Sequence, residues 1–257
     1  MAAQILRSIG RWYSIPLLLA AWQVASMTGL ASQRLLPGLD VVAAAFWHDL
    51  TNGTLVRHGA ISLMRAMAGF GLAALVGVTL GAAMARSRTV NDLFEPIFFF
   101  GYPVPKIALF PIFTFVFGIG TLSKVAFVFL ECLYPITVAT FFAIRHVEKN
   151  LIWSAQSMGA GRQRIFWRVL LPAASPAIYA GLRIALPVSI IVVIITEMIG
   201  DTTGLGFYIT YSATSFEYPK IYAGIAAVGI LGFTLDRLFA WSRSRLLHWQ
   251  AAGQRHG

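Results

Sequence analysis

Long apolar runs separated by short polar ones set the pattern of this chain. Six stand out, at about 14–30, 59–85, 94–117, 125–144, 178–199 and 221–241. A helix needs about 20 apolar residues to cross a bilayer core, and most of these runs reach that length. The second run carries Gly69, Gly71, Gly77 and Gly81, small residues that let helices approach closely in lipid. The third is broken by Pro103, Pro105 and Pro111. The pattern predicts an all-α, polytopic membrane bundle of six transmembrane helices, as one domain over 14–245 with flanks at 1–13 and 246–257. Between the first two runs, Asp40 to Trp47 reads as a short helix capped by Asp40, with aromatic residues suited to a membrane interface. The longest polar connection is 146–176, and Gly200 to Lys220 reads as a structured turn.

Composition agrees with the pattern. Of the 257 residues, 58% are hydrophobic and 12% charged, against about 25% charged in a soluble domain. Mean hydropathy is +0.72. Such a chain is neither disordered nor an ordinary soluble enzyme. The net charge of +10 would suit nucleic acid or an anionic surface. The basic residues lie between apolar runs, however, so they report topology and no nucleic-acid partner. With the N-terminus inside, thirteen Lys and Arg fall in inner segments and four (Arg34, Arg57, Lys124, Lys220) in outer ones. Both termini and the 146–176 loop are therefore expected in the cytoplasm. Arg7 and Arg11 before an apolar run, with Gly29-Leu30-Ala31 after it, resemble a signal peptide, but the spans that follow favour a retained first helix.

The 146–176 loop has its own order. Ser154 to Met158 reads as a short helix, with Gly159 and Gly161 as breakers. Ile165, Phe166, Val169 and Leu170 form an apolar stripe flanked by Arg162, Arg164 and Arg168. Pro172 and Pro176 are expected to break the chain before the fifth span.

From Gly159 through nine residues to Val169-Leu170-Leu171-Pro172, this loop resembles the EAA loop of type I ABC importer permeases. Trp153-Ser154-Ala155 stands where that pattern has Glu-Ala-Ala, so the first half is degenerate. Further similarity to the nitrate/sulfonate/taurine branch lies in Ser62-Leu63-Met64-Arg65 with Gly69-Phe70. It continues in Tyr102-Pro103-Val104-Pro105-Lys106 with Pro111, and in Phe117-Gly118-Ile119-Gly120. Gly181-Leu182-Arg183-Ile184-Ala185-Leu186, Glu197 and Gly204-Leu205-Gly206 follow in order. About residues 55–245 are covered.

The resemblance implies a permease subunit in a bacterial inner membrane, carrying a small solute, with anions such as nitrate, sulfonate or taurine foremost. It implies a second permease copy and two cytoplasmic ATPases that bind ATP and Mg. A periplasmic or lipid-anchored binding protein would deliver the solute, and this chain would hold no cofactor. The coupling residues would be Ser154, Ala155, Ser157, Met158, Gly159, Ala160, Gly161, Arg162, Ile165, Val169, Leu171 and Pro172. Ala155 and Met158, three apart, would share the face that enters an ATPase groove.

Ionisable groups in spans are expensive and mark function or pairing. Arg183 lies where it can snorkel. Lys106 either snorkels too or attracts anions at the inner mouth. Arg65 is about 10 Å deep at 1.5 Å per residue, Glu131 is similarly deep, and Glu197 is near the outer end of its run. These three are expected to meet as a buried pair or triad; contact with solute is the alternative. Phe98, Phe99 and Phe100 suit packing or lipid, and Asp236 with Arg237 suits an inner-interface pair. The five histidines are scattered and Cys132 is alone, so neither a metal site nor a disulfide is expected.

Two other classes fit the sequence less well. An ion-coupled secondary transporter could use Glu131 and Glu197, but no internal repeat is visible. A membrane enzyme would need a catalytic motif, and neither HExxH nor GxSxG occurs.

Overall fold

The computed structural model describes residues 13–29, 32, 34–101 and 104–246. Of the expected flanks at 1–13 and 246–257, residues 1–12 and 247–257 lie outside the described residues, as do Leu30-Ala31 of the cleavage position and Tyr102-Pro103. Every regular element among the described residues is helical. In chain order these are α1 (Ser14–Met27), α2 (Leu39–Thr51), α3 (Thr54–Arg86), α4 (Arg88–Gly101), a 3-10 turn (Lys106–Leu109), α5 (Phe110–Phe117), α6 (Thr121–Arg145) and α7 (Lys149–Ser157). A continuous helix α8 (Arg162–Met198) follows, then α9 (Leu205–Thr214) and α10 (Tyr218–Leu246).

Four of these helices, α3, α6, α8 and α10, are long and apolar enough to cross a membrane. The α4 and α5 segments make a fifth crossing if their pair, bent by 95°, is one span. The 14 residues of α1 extend about 21 Å, short of a core about 30 Å thick.

Packing begins with α3 against α6, which run side by side in the same direction. Gly69, Gly77 and Gly81 share one face of α3. A Cβ at Gly81 would collide with the Thr137 carbonyl and Thr140, and at Gly69 with Val128. Only glycine permits this approach. Gly71, expected with them, faces open space. The opposite-running α8 closes the core, where Cys132 Sγ lies 3.5 Å from the Ala185 carbonyl. Phe70, Ala73, Phe127, Val128, Ile136, Ala185 and Val193 are buried there. The outward faces stay apolar, as lipid requires: Phe115 is 92% exposed, and Phe99 and Phe100 are also open.

Several local expectations are corrected. Asp40 does not cap α2. It lies in the first turn, the cap position is Gly38, and the Gln23 Oε1 accepts the Leu39 N–H at 2.8 Å. Pro111 starts α5, where its missing N–H costs nothing. Pro172 and Pro176 do not break the chain. A wide turn, Phe166–Leu170, carries a Leu171 N–H to Phe166 O bond just before Pro172 and gives its ring room. Asp236 pairs with Arg183 at 3.0 Å rather than with Arg237, which instead lies over the Phe233 ring.

Candidate functional site

Three groups of side chains stand out. The first lies where the start of α3 meets the end of α8. Glu197 has a fully buried carboxylate that accepts from Ser62 Oγ at 2.6 Å, Arg65 Nη1 at 2.8 Å and the Gly206 N–H at 3.1 Å. Arg65 also reaches Asp201 at 2.8 Å and donates to Thr203 Oγ1 at 3.0 Å. Asp201 in turn pairs with the buried Lys124 at 2.9 Å. Two cations thus face two carboxylates, and the cluster is neutral overall. Burial alone would raise the Asp201 carboxyl; Lys124, the Thr202 amide and Arg65 overcome this and hold it below the ordinary carboxylate range.

The same cluster fixes the backbone after α8. Ser62 Oγ accepts the Leu205 N–H at 2.8 Å, and His58 Nδ1 accepts the Gly204 N–H at 3.0 Å. Gly204 has φ +101°, and a Cβ there would land on the Glu197 carboxylate. The expected Arg65–Glu197 pair is present. Glu131 is not part of it, contrary to the three-way meeting expected from depth. Lys124 and Asp201 complete the cluster instead. The charge count from sequence places Lys124 in an outer loop, and nothing in the sequence analysis marks Asp201. Their shared position beside glycine turns at one end of the bundle was the available signal.

A second polar tie holds α9 to α2. Tyr208 Oη donates to Asp49 Oδ2 at 2.7 Å, and His48 and Asn52 flank the other oxygen. Burial would raise Asp49, but bonds from Tyr208, His48 and Asn52 hold it low. Burial and Asp49 together push the Tyr208 hydroxyl well above its usual value. The expected turn at Gly200 to Lys220 is therefore a buried helix, α9, pinned from two sides.

The second group is Glu131 with Lys106, 3.7 Å apart. Lys106 also lies 5.4 Å from the Tyr134 ring centre. Glu131 is ten residues past the start of α6, about 15 Å along it at 1.5 Å per residue. Lys106 thus sits beside the middle of α6, away from either end of that helix.

The third group is the α7–α8 junction, at the opposite end of the bundle from Arg65. Gly159 has φ +76°. The Ala160 N–H reaches Ala155 O at 3.0 Å and the Gly159 N–H reaches Gln156 O at 2.9 Å. This double bond pattern is a Schellman close, which needs the left-handed residue that glycine supplies. Ala155, expected to enter a partner groove, is 5% exposed and packs inside, while Met158 at the turn is 80% exposed. Ile165 and Phe166 are buried. Phe166, Leu170 and Leu171 pack with Ile144, Ala174 and Ile178, and Arg86 lies 5.3 Å from the Phe166 ring centre. The stripe thus anchors the junction to its own bundle. Ser154, Ser157, Gly159, Gly161, Arg162 and Pro172 are exposed, and Ala160 and Val169 half-buried. Among the described residues no group of His, Cys, Asp and Glu could hold a metal ion.

Residues 73–248 match the family described as the binding-protein-dependent transport system inner membrane component. The chain belongs to that family. It is 32% identical to the taurine transport system permease protein TauC of Escherichia coli, over 99% of this chain and 93% of that one. It is 31% identical to the putative aliphatic sulfonates transport permease protein SsuC of the same organism, over 95% and 93%. It is 29% identical to the riboflavin transport system permease protein RibX of Chloroflexus aurantiacus, over 95% and 91%. A chain of the MetNI methionine ABC transporter, in an inward-facing structure, shares its fold at TM-score 0.59 and 20% identity, over 73% of this chain and 92% of that one. This family member is a multi-pass membrane protein and the permease subunit of an ABC importer, a transport subunit rather than an enzyme. Membership implies an ATPase partner and a substrate-binding protein. The secondary-transporter reading finds no support among these relatives.

Proposed function

We propose that this permease imports a small sulfonate-type solute, and that the α7–α8 turn is its docking element for the ATPase. In this reading two identical copies form the path in a bacterial inner membrane. Each crosses six times, counting α1 and the α4–α5 pair, with both ends in the cytoplasm. Two ATPases carry the ATP and Mg, and a periplasmic or lipid-anchored protein delivers the solute. The substrate class rests on the taurine and sulfonate relatives; a riboflavin relative at similar identity keeps heterocyclic nutrients as the second reading.

One observation carries the docking role: Met158 stands exposed on a turn whose backbone is closed by two hydrogen bonds and whose flanks are buried. A flexible, unbranched apolar side chain on a stiff base suits a protein groove. Rigid attachment lets ATPase closure move the bundle as a body. The test is Met158→Asp in the assembled complex. The permease should insert and purify normally, because the side chain touches little of its own chain. ATPase retention and substrate-stimulated hydrolysis should fall together. Normal ATPase retention and uptake in this variant would remove the docking role. Uptake assays with labelled taurine and riboflavin on the unaltered complex decide between the two substrate classes.

A further inference from the structure

The Lys106–Glu131 pair differs from every other ion pair inside the bundle. Arg65, Glu197, Lys124 and Asp201 meet at 2.8–2.9 Å. Lys106 and Glu131 stand 3.7 Å apart, and neither side chain makes a hydrogen bond among the described residues. A pair drawn out of water repays its desolvation only with close geometry and further bonds. This one has neither: its side chains are 20% and 16% exposed, beside the middle of α6. Beside it is a cavity of about 340 Å³, walled by Phe98, Leu109, Leu130, Leu133 and Tyr134, with Lys106 as its charged lining residue.

We propose that this cavity is a solute-binding station on the translocation path, which takes a small organic anion with its headgroup on Lys106 and its carbon chain against the apolar wall. An ammonium with unused donors matches the oxygens of a sulfonate or carboxylate. The apolar wall with one placed charge is the ordinary make-up of a small-molecule site. Glu131 balances the ammonium when the station is empty and receives a cationic amine if the solute carries one. A phospholipid could fill the apolar wall with a tail, but its phosphate stays at the membrane surface, about 15 Å from the middle of a spanning helix. The chemistry of the proposed substrate class fits the station, and to that extent the inference rests on that reading.

The test separates the two. In a Cys132→Ala background, Leu133→Cys in the assembled complex is treated with two thiol reagents, the anionic sulfonatoethyl and the cationic trimethylammonioethyl methanethiosulfonate. A solute station is wetted during turnover, so the thiol should react, and the anionic reagent should be favoured. Lys106→Met should lower the anionic-to-cationic rate ratio by roughly tenfold or more, the worth of a bond to a charged group. Lys106→Arg should keep the ratio and Glu131→Gln should raise it, which covers the case in which Lys106→Met misfolds. No reaction with either reagent, or a ratio unmoved by these changes, overturns the station. Taurine uptake is measured on the same variants. If the unaltered complex moves no sulfonate while the thiol ratio behaves as stated, the substrate class fails and the station stands.

Discussion

Gly159 and Gly161 look alike in the sequence but do different work. Gly159 holds φ +76° as the closing residue of α7, in open space. Gly161 has φ −71° at the start of α8, a conformation any residue adopts. Gly159→Ala should therefore destabilise the junction by about 1–2 kcal/mol, the cost of a left-handed L-residue. Gly161→Ser should be neutral or slightly stabilising, since serine favours that cap position. Melting of the detergent-solubilised protein reads both, and equal effects would refute the distinction. The Arg65–Glu197 pair makes a second residue-scale prediction. Either single alanine leaves a buried charge uncompensated and should cost about 3–5 kcal/mol. Removing both should recover part of that loss, and strict additivity in the double-mutant cycle would reject the coupling. This pair was legible because both residues interrupt apolar runs. Lys124 and Asp201 were not, because they sit at the edges of runs, where a charge ordinarily faces water.

Among the elements, α9 was the least legible and is the most tightly pinned. Leu205, Gly206, Tyr208, Ile209 and Ser212 are buried at helical spacing, but the exposed Tyr211 on the other face blurs the stripe in the sequence. Its position depends on charges that only the fold assembles. That dependence has a pH signature. Asp201 and Asp49 are held below their ordinary range, so their stabilisation is complete above about pH 4 and is lost only as pH falls through the lower folded values. Tyr208 is raised, so its contribution persists below about pH 10 and is lost as pH rises further. Asp201→Asn should lower stability at neutral pH, because Lys124 loses its carboxylate, and should make the acid decline shallower. An unchanged acid decline in that variant, read by melting against pH, would show that Asp201 contributes nothing to it. The α7–α8 junction was half legible. Glycine spacing located the turn, but no periodicity distinguishes a stripe that docks on a partner from one that packs on its own bundle, and Phe166 and Leu170 do the latter.

Across the whole molecule, the two ends of the bundle carry opposite kinds of chemistry. At one end the charges of Arg65, Lys124, Glu197 and Asp201 are paired and buried. At the other, Arg86, Arg88 and Arg145 line a cavity of about 470 Å³, close to the α7–α8 turn with its exposed Arg162, Arg164 and Arg168. Surface cations gather on the cytoplasmic side of inner-membrane proteins because translocating them is opposed. The fold therefore sharpens the count made from sequence: it removes Lys124 from the outer surface and gathers basic residues at the turn end. Single cysteines in a Cys132-free background test the orientation. Gln163, exposed beside the turn, should react with an impermeant thiol reagent only when the cytoplasmic face is open. Asn52 and Ser215, exposed at the other end, should react in intact spheroplasts. These three sites flank four different long helices, so one inverted span cannot hide among them. Labelling of Gln163 from the periplasm would reverse the bundle and leave the Met158 turn on the side where no ATPase can reach it.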